Sequence, residues 1–229
     1  MPALDDNIQY LKGVGPAFAK KFEKLGIHTV RDLLLHYPRR YIDYTKPYAV
    51  AEAPYDVDCC VRAEVLQKEP ARRIRGGRTL YKVLAADDSG TLTLSWFNAS
   101  YASESLAIGQ SYYFEGRVGG TLTHREMLHP NIRTQAQVEA GPLVPVYPST
   151  EGLPSGRIAR CVEAALSAAD DLEDPLPAVL LTRYRMPSRA KAVRGIHAPH
   201  SVEEATAARR RLIFEELYVL QLGIFLILG

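Results

Sequence analysis

The sequence predicts an α+β protein in which a small five-stranded antiparallel β-barrel lies between two helical segments. Apolar and polar residues alternate with period two in the middle third, and apolar residues recur at helical spacing on both sides of it. Three prolines between 142 and 148 indicate an extended connector. In chain order, the predicted parts are an N-terminal helical segment (1–50), the barrel (51–135), the connector (136–154) and a second helical segment (155–229).

The composition is that of an ordinary globular protein. The 229 residues are 47% hydrophobic and 24% charged, with a formal net charge of +2, which excludes a disordered chain. No stretch reaches the ~20 apolar residues of a membrane span, and the acidic N-terminus does not resemble a signal peptide. We therefore expect a cytoplasmic protein without membrane contact. Three cysteines without a C-x-x-C spacing favour reduced thiols over disulfides or zinc.

The barrel prediction depends on five short strands and on where a helix interrupts them. The first strand alternates strictly, and the second ends at an Asp-Asp-Ser-Gly turn. Five strands with a helix between the third and fourth match the order of an OB-fold; a generic antiparallel sandwich is the alternative. The predicted elements are strands at 57–65, 79–86 and 91–97, a helix at 100–107, and strands at 109–118 and 121–128.

Alternation in the third strand separates Trp96 from Phe97. Trp96 falls on the apolar face with two leucines, whereas Phe97 falls on the face that carries threonine and serine. Tyr101 follows one helical turn later, so the two aromatic rings could form a surface on which nucleic-acid bases stack. The alternative is that a neighbouring segment covers Phe97.

Basic residues are concentrated between the first two strands. Positions 62–82 contain seven Lys or Arg and two Glu. In an OB-fold, loops of this kind flank the nucleic-acid groove, where a glycine-containing arm could reach phosphates. The alternative is an ordinary solvated hairpin tip. The candidate phosphate-contacting residues are Arg72, Arg73, Arg75 and Arg78.

A second basic stretch (183–194) follows an acidic one (170–174), and salt bridges between the two are favoured over phosphate binding. His197 and His200 flank a proline at a spacing that is poor for a metal site. The chain contains no Walker phosphate loop, no G-x-S-x-G and no H-E-x-x-H. We therefore predict no catalytic residue, no metal and no cofactor in this chain.

The N-terminal segment contains a glycine turn, Gly13-Val14-Gly15-Pro16, directly before a predicted helix. Backbone N–H groups exposed at such a turn could bind phosphate, with Lys20 and Lys21 adding positive charge. This is the pattern of a helix-hairpin-helix; a packing turn between two helices is the alternative.

The last predicted helix starts near Ser201, with Glu204 completing a capping pattern. Apolar residues recur at helical spacing from Ile213 onward, and 217–229 carries no charge. We expect a packing partner for this end that lies beyond the present chain.

A series of short motifs resembles, in order, the N-terminal region of the RecG family, the bacterial branched-DNA helicases. Together the motifs span nearly the whole chain, which makes the resemblance specific. They lie at 11–16 (Leu-Lys-Gly-Val-Gly-Pro), 26–34, 36–43, 96–98 (Trp-Phe-Asn), 127–130 (Met-Leu-His-Pro), 145–153 and 210–217.

The resemblance implies a wedge domain, an OB-fold between helical segments, which splits the arms of a DNA junction. Phe97 and Tyr101 match the family's base-stacking aromatics, and the partners implied are branched DNA and helicase motor domains packed against the C-terminal helix. ATP and Mg²⁺ would bind those motor domains, which this chain lacks, and we expect a monomer. Two rival functions stay open: an RNA-binding OB module, and a structural adaptor that binds no nucleic acid.

Overall fold

The computed structural model describes residues 2–74, 76–121 and 124–228 and divides the chain into two compact units. The barrel unit comprises residues 42–142. The helical unit combines the chain up to residue 41 with the chain from residue 143 onward. Two segments that are distant in sequence thus share one hydrophobic core.

Strands dominate the middle of the chain, and helices dominate both ends. The strands are β1 (Arg40–Asp43), β2 (Asp58–Lys68), β3 (Arg72–Arg73), β4 (Thr79–Asp87), β5 (Gly90–Phe97), β6 (Ser111–Thr121), β7 (His124–Leu128), β8 (Asn131–Arg133) and β9 (Leu143–Val146). The helices are α1 (Pro16–Glu23), α2 (Val30–Leu34), α3 (Ser100–Glu104), α4 (Gln135–Ala140), α5 (Ser155–Ala165), α6 (Ala178–Arg183), α7 (Arg189–His197) and α8 (Val202–Leu228), with 3₁₀ helices at Ile8–Tyr10 and Leu166–Asp171.

The barrel unit is a closed barrel in the order β2–β4–β5–β7–β6, and β6 pairs back with β2. This confirms the OB-fold and the position of the helix, α3, between the third and fourth barrel strands. The barrel is not purely antiparallel, however, because β5 and β7 are parallel. The chain leaves β5 through α3 and the β6–β7 hairpin, so β7 reaches β5 running in the same direction.

Alternate side chains of the strands fill the barrel. Val61, Leu94, Phe114 and Met127 are fully buried, and Trp96 is 2% exposed. Each such side chain stabilises the fold by about 1.5–3 kcal/mol through burial of apolar surface. The Trp96 indole N–H donates to the Pro130 carbonyl at 3.2 Å, which satisfies its polar atom. The predicted core face of the third strand is therefore confirmed.

The helical unit packs the N-terminal helices against α5, α7 and the first turns of α8. Its core includes Phe22 of α1, Leu33 of α2, Ile158 of α5, Val193 of α7 and Leu212 of α8. These residues come from both ends of the sequence, and burial of their shared apolar faces holds the two segments together.

Helix α8 begins as the sequence predicts. The Ser201 hydroxyl accepts a hydrogen bond from the Glu204 N–H at 3.1 Å. Further along, Arg211 is fully buried and forms ion pairs with Asp174 and Glu215. Beyond Leu212, most of the apolar residues are exposed: Ile213, Leu217, Val219, Leu220, Leu222, Ile224, Phe225, Leu226 and Ile227. Despite this, no helix in the described part of the chain is long and apolar enough to span a membrane.

Two arginines of the second basic stretch form salt bridges, and one of these is to the acidic stretch, as the sequence favours. Arg194 of α7 contacts Asp170 at 2.6 Å, and Arg189 contacts Glu215 at 3.0 Å. Arg189 also donates to the Glu173 carbonyl at 3.0 Å. These arginines are engaged within the helical unit.

Candidate nucleic-acid interface

One end of the barrel collects most of the predicted contact residues. The strand register aligns Arg72 of β3, Leu80 of β4 and Phe97 of β5. Residues directly opposite one another in antiparallel strands point to the same face of a sheet. Phe97 therefore lies on the face opposite to that of Trp96, in line with a basic side chain two strands away.

Asn98 turns the chain out of β5 at this end. Its φ of 54° is left-handed, a conformation that Asn tolerates better than most residues. Its N–H donates to the Thr79 carbonyl, and its side-chain oxygen accepts from the Thr79 N–H, both at 2.8 Å. This reciprocal pair fixes the start of α3, where Tyr101 is 74% exposed.

Phe97 is half-buried, and two flat groups lie against it. The Arg78 guanidinium lies 5.4 Å from its ring centroid, and the His129 ring lies 5.5 Å from it at an interplanar angle of 49°. No ring contact between Phe97 and Tyr101 occurs in the described part of the chain. The two predicted aromatics therefore occupy one end of the barrel without stacking on each other.

The basic loop is an exposed two-stranded arm. β3 pairs with the start of β4, and the Ile74 N–H donates to the Arg78 carbonyl at 2.9 Å. Gly76 and Gly77 adopt φ values of 82° and 71°, which allow the tight turn at its tip. Arg75 lies outside the described residues.

Arg72, Arg73 and Arg78 are all exposed, and none of the three forms an ion pair with any residue that the structure describes. Unpaired guanidinium groups on a protruding arm are suited to contact phosphate oxygens without reading sequence. Together with Phe97, Asn98 and Tyr101, they form what we call the Phe97 surface.

The glycine turn of the helical unit uses several of its polar groups internally. Gly13 has a φ of 89°, and its carbonyl accepts from Arg157 at 2.7 Å. The Lys21 amine donates to the Gly152 carbonyl at 3.0 Å and lies 4.8 Å from the Phe18 ring.

The turn joins a 3₁₀ helix, Ile8–Tyr10, to α1, so only one of the two helices of a helix-hairpin-helix is an α-helix. Gly15 is the N-cap of α1, and Pro16 occupies its first position, as the sequence indicates. Gly15 and Lys20 are exposed. A cleft of about 860 Å³ opens beside the turn, with Tyr10, Lys12 and Arg160 in its walls.

His197 is buried in the helical unit and serves the fold. One ring nitrogen hydrogen-bonds the Tyr147 hydroxyl at 2.9 Å, and the other the Leu34 carbonyl at 2.8 Å. Burial lowers the pKa of His197 to about 4, so it is neutral at pH 7. No cluster that could hold a metal ion occurs among residues 2–74, 76–121 and 124–228.

His129 belongs to the barrel end although sequence reasoning does not single it out. It follows β7, some 30 residues after Phe97, and the parallel β5–β7 pairing brings the two together. In the sequence, the Met-Leu-His-Pro motif at 127–130 is the one feature that points to His129. Sequence pattern alone does not show which strands are neighbours in a closed barrel.

Residues 7–169 match the family model of the RecG wedge domain. The chain belongs to the RecG family. The ATP-dependent DNA helicase RecG of Escherichia coli K12 is 35% identical to it over 221 residues, which cover 90% of this chain and 31% of the relative. The protein of the same name from Streptococcus pneumoniae is 30% identical over 96% of this chain and 32% of its own length.

A solved structure of RecG bound to a three-way DNA junction superimposes with a TM-score of 0.78. It is 27% identical, and the match covers 97% of this chain and 31% of that one. The chain thus spans about a third of the relatives it matches. This chain therefore shares the fold of the corresponding region of that RecG structure.

Proposed function

We propose that this chain is the branched-DNA-binding region of a RecG-type helicase, and that the Phe97 surface is its contact with the branch point. The observation that carries this proposal is the combination at one barrel end of an exposed Tyr101, a half-buried Phe97 and three unpaired arginines. Flat rings stack on unpaired bases, and arginines contact the adjacent phosphates.

Such a surface discriminates by shape. A fork or Holliday junction offers unpaired bases where its arms separate, whereas a continuous duplex keeps its bases stacked. Phe97 and Tyr101 would stabilise the separated bases, while Arg72, Arg73, Arg75 and Arg78 hold the flanking backbone. The binding would be independent of sequence, because stacking on base faces and contacts to phosphates do not distinguish one base from another.

The glycine turn would add a second and weaker phosphate contact. Gly13 and Gly15 are exposed and have no side chain to shield the backbone of the turn, and Lys20 is also exposed. Lys21 would contribute less, because its amine already donates to the Gly152 carbonyl.

Two features support attachment to helicase motor domains. The relatives are about three times as long as the stretch that this chain matches, and they are named as ATP-dependent helicases. The apolar side chains of α8 from Leu217 to Ile227 are exposed and suited to pack against another domain. ATP and Mg²⁺ would act in those domains.

The test compares binding of this chain to a model replication fork and to a linear duplex of equal length across a salt series. We expect a fork preference that weakens with salt. The double variant Phe97→Ala/Tyr101→Ala should bind the fork about 30-fold more weakly, since each stacked base contributes about 1–3 kcal/mol. Duplex binding should change little.

Tyr48→Ala is the matched control, because Tyr48 is also an exposed aromatic of the barrel unit but lies beside Val61 of β2. Equal affinity for fork and duplex would overturn the proposal. Preference for single-stranded RNA in a direct competition would favour an RNA-binding module, and absence of salt-dependent binding would leave a structural adaptor.

A further inference from the structure

We infer that His129 is a further base-stacking residue of the Phe97 surface, and that it contacts an unpaired nucleotide beside the one held by Phe97. The inference rests on the proposed function and extends it to a residue outside the aromatic pair. Three observations carry it: the position of His129, its backbone conformation and its unused side chain.

The position of His129 is fixed on both sides by the barrel. Its N–H donates to the Ser95 carbonyl at 2.8 Å, which continues the parallel β5–β7 ladder by one residue. The next residue, Pro130, accepts the Trp96 indole N–H at 3.2 Å. Hydrogen bonds to the Ser95 carbonyl and from the Trp96 indole thus fix His129 and the next residue against β5, and the His129 ring lies against Phe97.

The backbone at His129 is in the left-handed region, with a φ of 51°. This conformation costs an ordinary residue roughly 1 kcal/mol, and glycine would adopt it freely. Asn98, which ends the neighbouring strand β5, has a φ of 54°. Two adjacent strands therefore end in left-handed non-glycine residues at the same barrel end, and such conformations cluster at functional sites.

The His129 side chain has no role in holding the fold together that would explain its presence. The residue is exposed, and its ring nitrogens make no hydrogen bond to any described residue. Its one contact of note is with Phe97, at a centroid distance of 5.5 Å. By contrast, the buried His197 has hydrogen bonds at both ring nitrogens.

The His129 imidazole combines the flat ring of Phe97 with a hydrogen-bond donor like that of Arg78. Its flat face can stack on a base, and its N–H can donate to a phosphate or base oxygen. Arg78 and His129 both lie against the Phe97 ring, so the three groups form one continuous patch of flat side chains. His129 therefore offers a second flat group beside Phe97 for a neighbouring unpaired nucleotide.

The variant that tests this is His129→Asn, because Asn tolerates the left-handed backbone but lacks the ring. We expect it to bind the fork about fivefold more weakly, with duplex affinity and melting temperature unchanged. His129→Phe restores a flat ring and should bring fork affinity back to within twofold of the unmodified chain. A fork with 2-aminopurine at an unpaired branch position reports stacking directly through fluorescence quenching, which His129→Asn should reduce.

His124→Asn is the matched control. His124 is also exposed and lies at the opposite end of the same strand, β7, on the order of 15 Å away. It should bind the fork as the unmodified chain does.

The outcomes separate the two proposals. If Phe97→Ala/Tyr101→Ala abolishes fork preference while His129→Asn leaves affinity and quenching intact, the inference is wrong and the proposed function stands. Failure of His129→Phe to restore either signal, with its melting temperature unchanged, also overturns base stacking by His129. If the unmodified chain shows no fork preference, the proposed function fails, and the inference fails with it.

Discussion

The Phe97 surface and the glycine turn of the helical unit contrast in how they use their polar groups. The sequence predicts both as nucleic-acid contacts, each from basic residues beside a glycine-containing loop. At the barrel end, three arginines are exposed without an ion pair among the described residues. At the turn, Arg157 holds the Gly13 carbonyl, and Lys21 holds the Gly152 carbonyl.

The contrast indicates that a basic side chain is available to a ligand only where it does not already hydrogen-bond another group of the fold. A cation that already donates to a carbonyl must break that bond before it contacts a phosphate, which offsets much of the gain. We therefore expect mutations in the helical unit to act mainly on stability, and mutations of the Phe97 surface to act mainly on binding.

The largest expected effect is on the stability of the helical unit in acid. Burial lowers the pKa of His197 to about 4 from the usual 6.5, so between these values the unfolded chain binds the proton and the folded chain does not. We therefore expect the contribution of His197 to the unfolding free energy to be fully present above pH 6.5. It should fall by about 3 kcal/mol as the pH drops toward 4, because the pKa differs by 2.5 pH units between the folded and unfolded chain.

Urea unfolding of the helical unit from pH 7 to pH 4 measures this loss. His197→Asn should unfold at lower urea at pH 7 and lose most of the pH dependence attributed to His197. His200→Asn, an exposed neighbour, should keep it. A pH profile that is the same in His197→Asn and the unmodified chain would contradict the assignment.

The second effect concerns the charge of the Phe97 surface. Replacing Arg72, Arg73 and Arg78 with Gln should weaken fork binding about tenfold at moderate salt. The slope of log affinity against log salt should fall by about 0.9 for each phosphate that the protein no longer neutralises. The unfolding free energy should fall by no more than about 1 kcal/mol, because these side chains are exposed, form no ion pair among the described residues and lose only the contact of Arg78 with the Phe97 ring.

Arg117→Gln is the control for this charge removal, since Arg117 lies 3.7 Å from Asp58 on another part of the barrel. It should leave the salt slope nearly unchanged. A triple variant that keeps the full slope would show that the basic arm does not contact phosphate.

The smallest effect is expected at the glycine turn. Lys20→Ala should weaken fork binding about twofold through loss of one exposed charge, as expected for a single peripheral phosphate contact. Lys21→Ala should lower the melting temperature slightly through loss of the bond to Gly152, with less effect on binding. If Lys20→Ala weakened fork binding as much as the triple arginine variant does, the contrast between the two regions would be wrong.

Local pattern is enough to predict much of the barrel. Alternation places Trp96 in the core and Phe97 on the other face, where it is half-buried, and the interruption between the third and fourth strands predicts α3. The Ser201 cap and the salt bridge of Arg194 are also predictable, because each depends on residues that are near in sequence or complementary in charge. The parallel β5–β7 pairing is not, since it depends on barrel closure.

Residue order alone thus specifies the barrel strands, the starts of α1, α3 and α8, the core face of the third strand and, through its ordered motifs, the RecG family. Three features emerge only when the chain folds: the N- and C-terminal segments share one core, His129 lies against Phe97, and Lys21 is engaged while Arg78 is not paired. The cause is the range of the interactions. Periodicity and capping depend on residues that are near one another in sequence. Which distant residues come into contact is decided only when separate segments bury their apolar faces together.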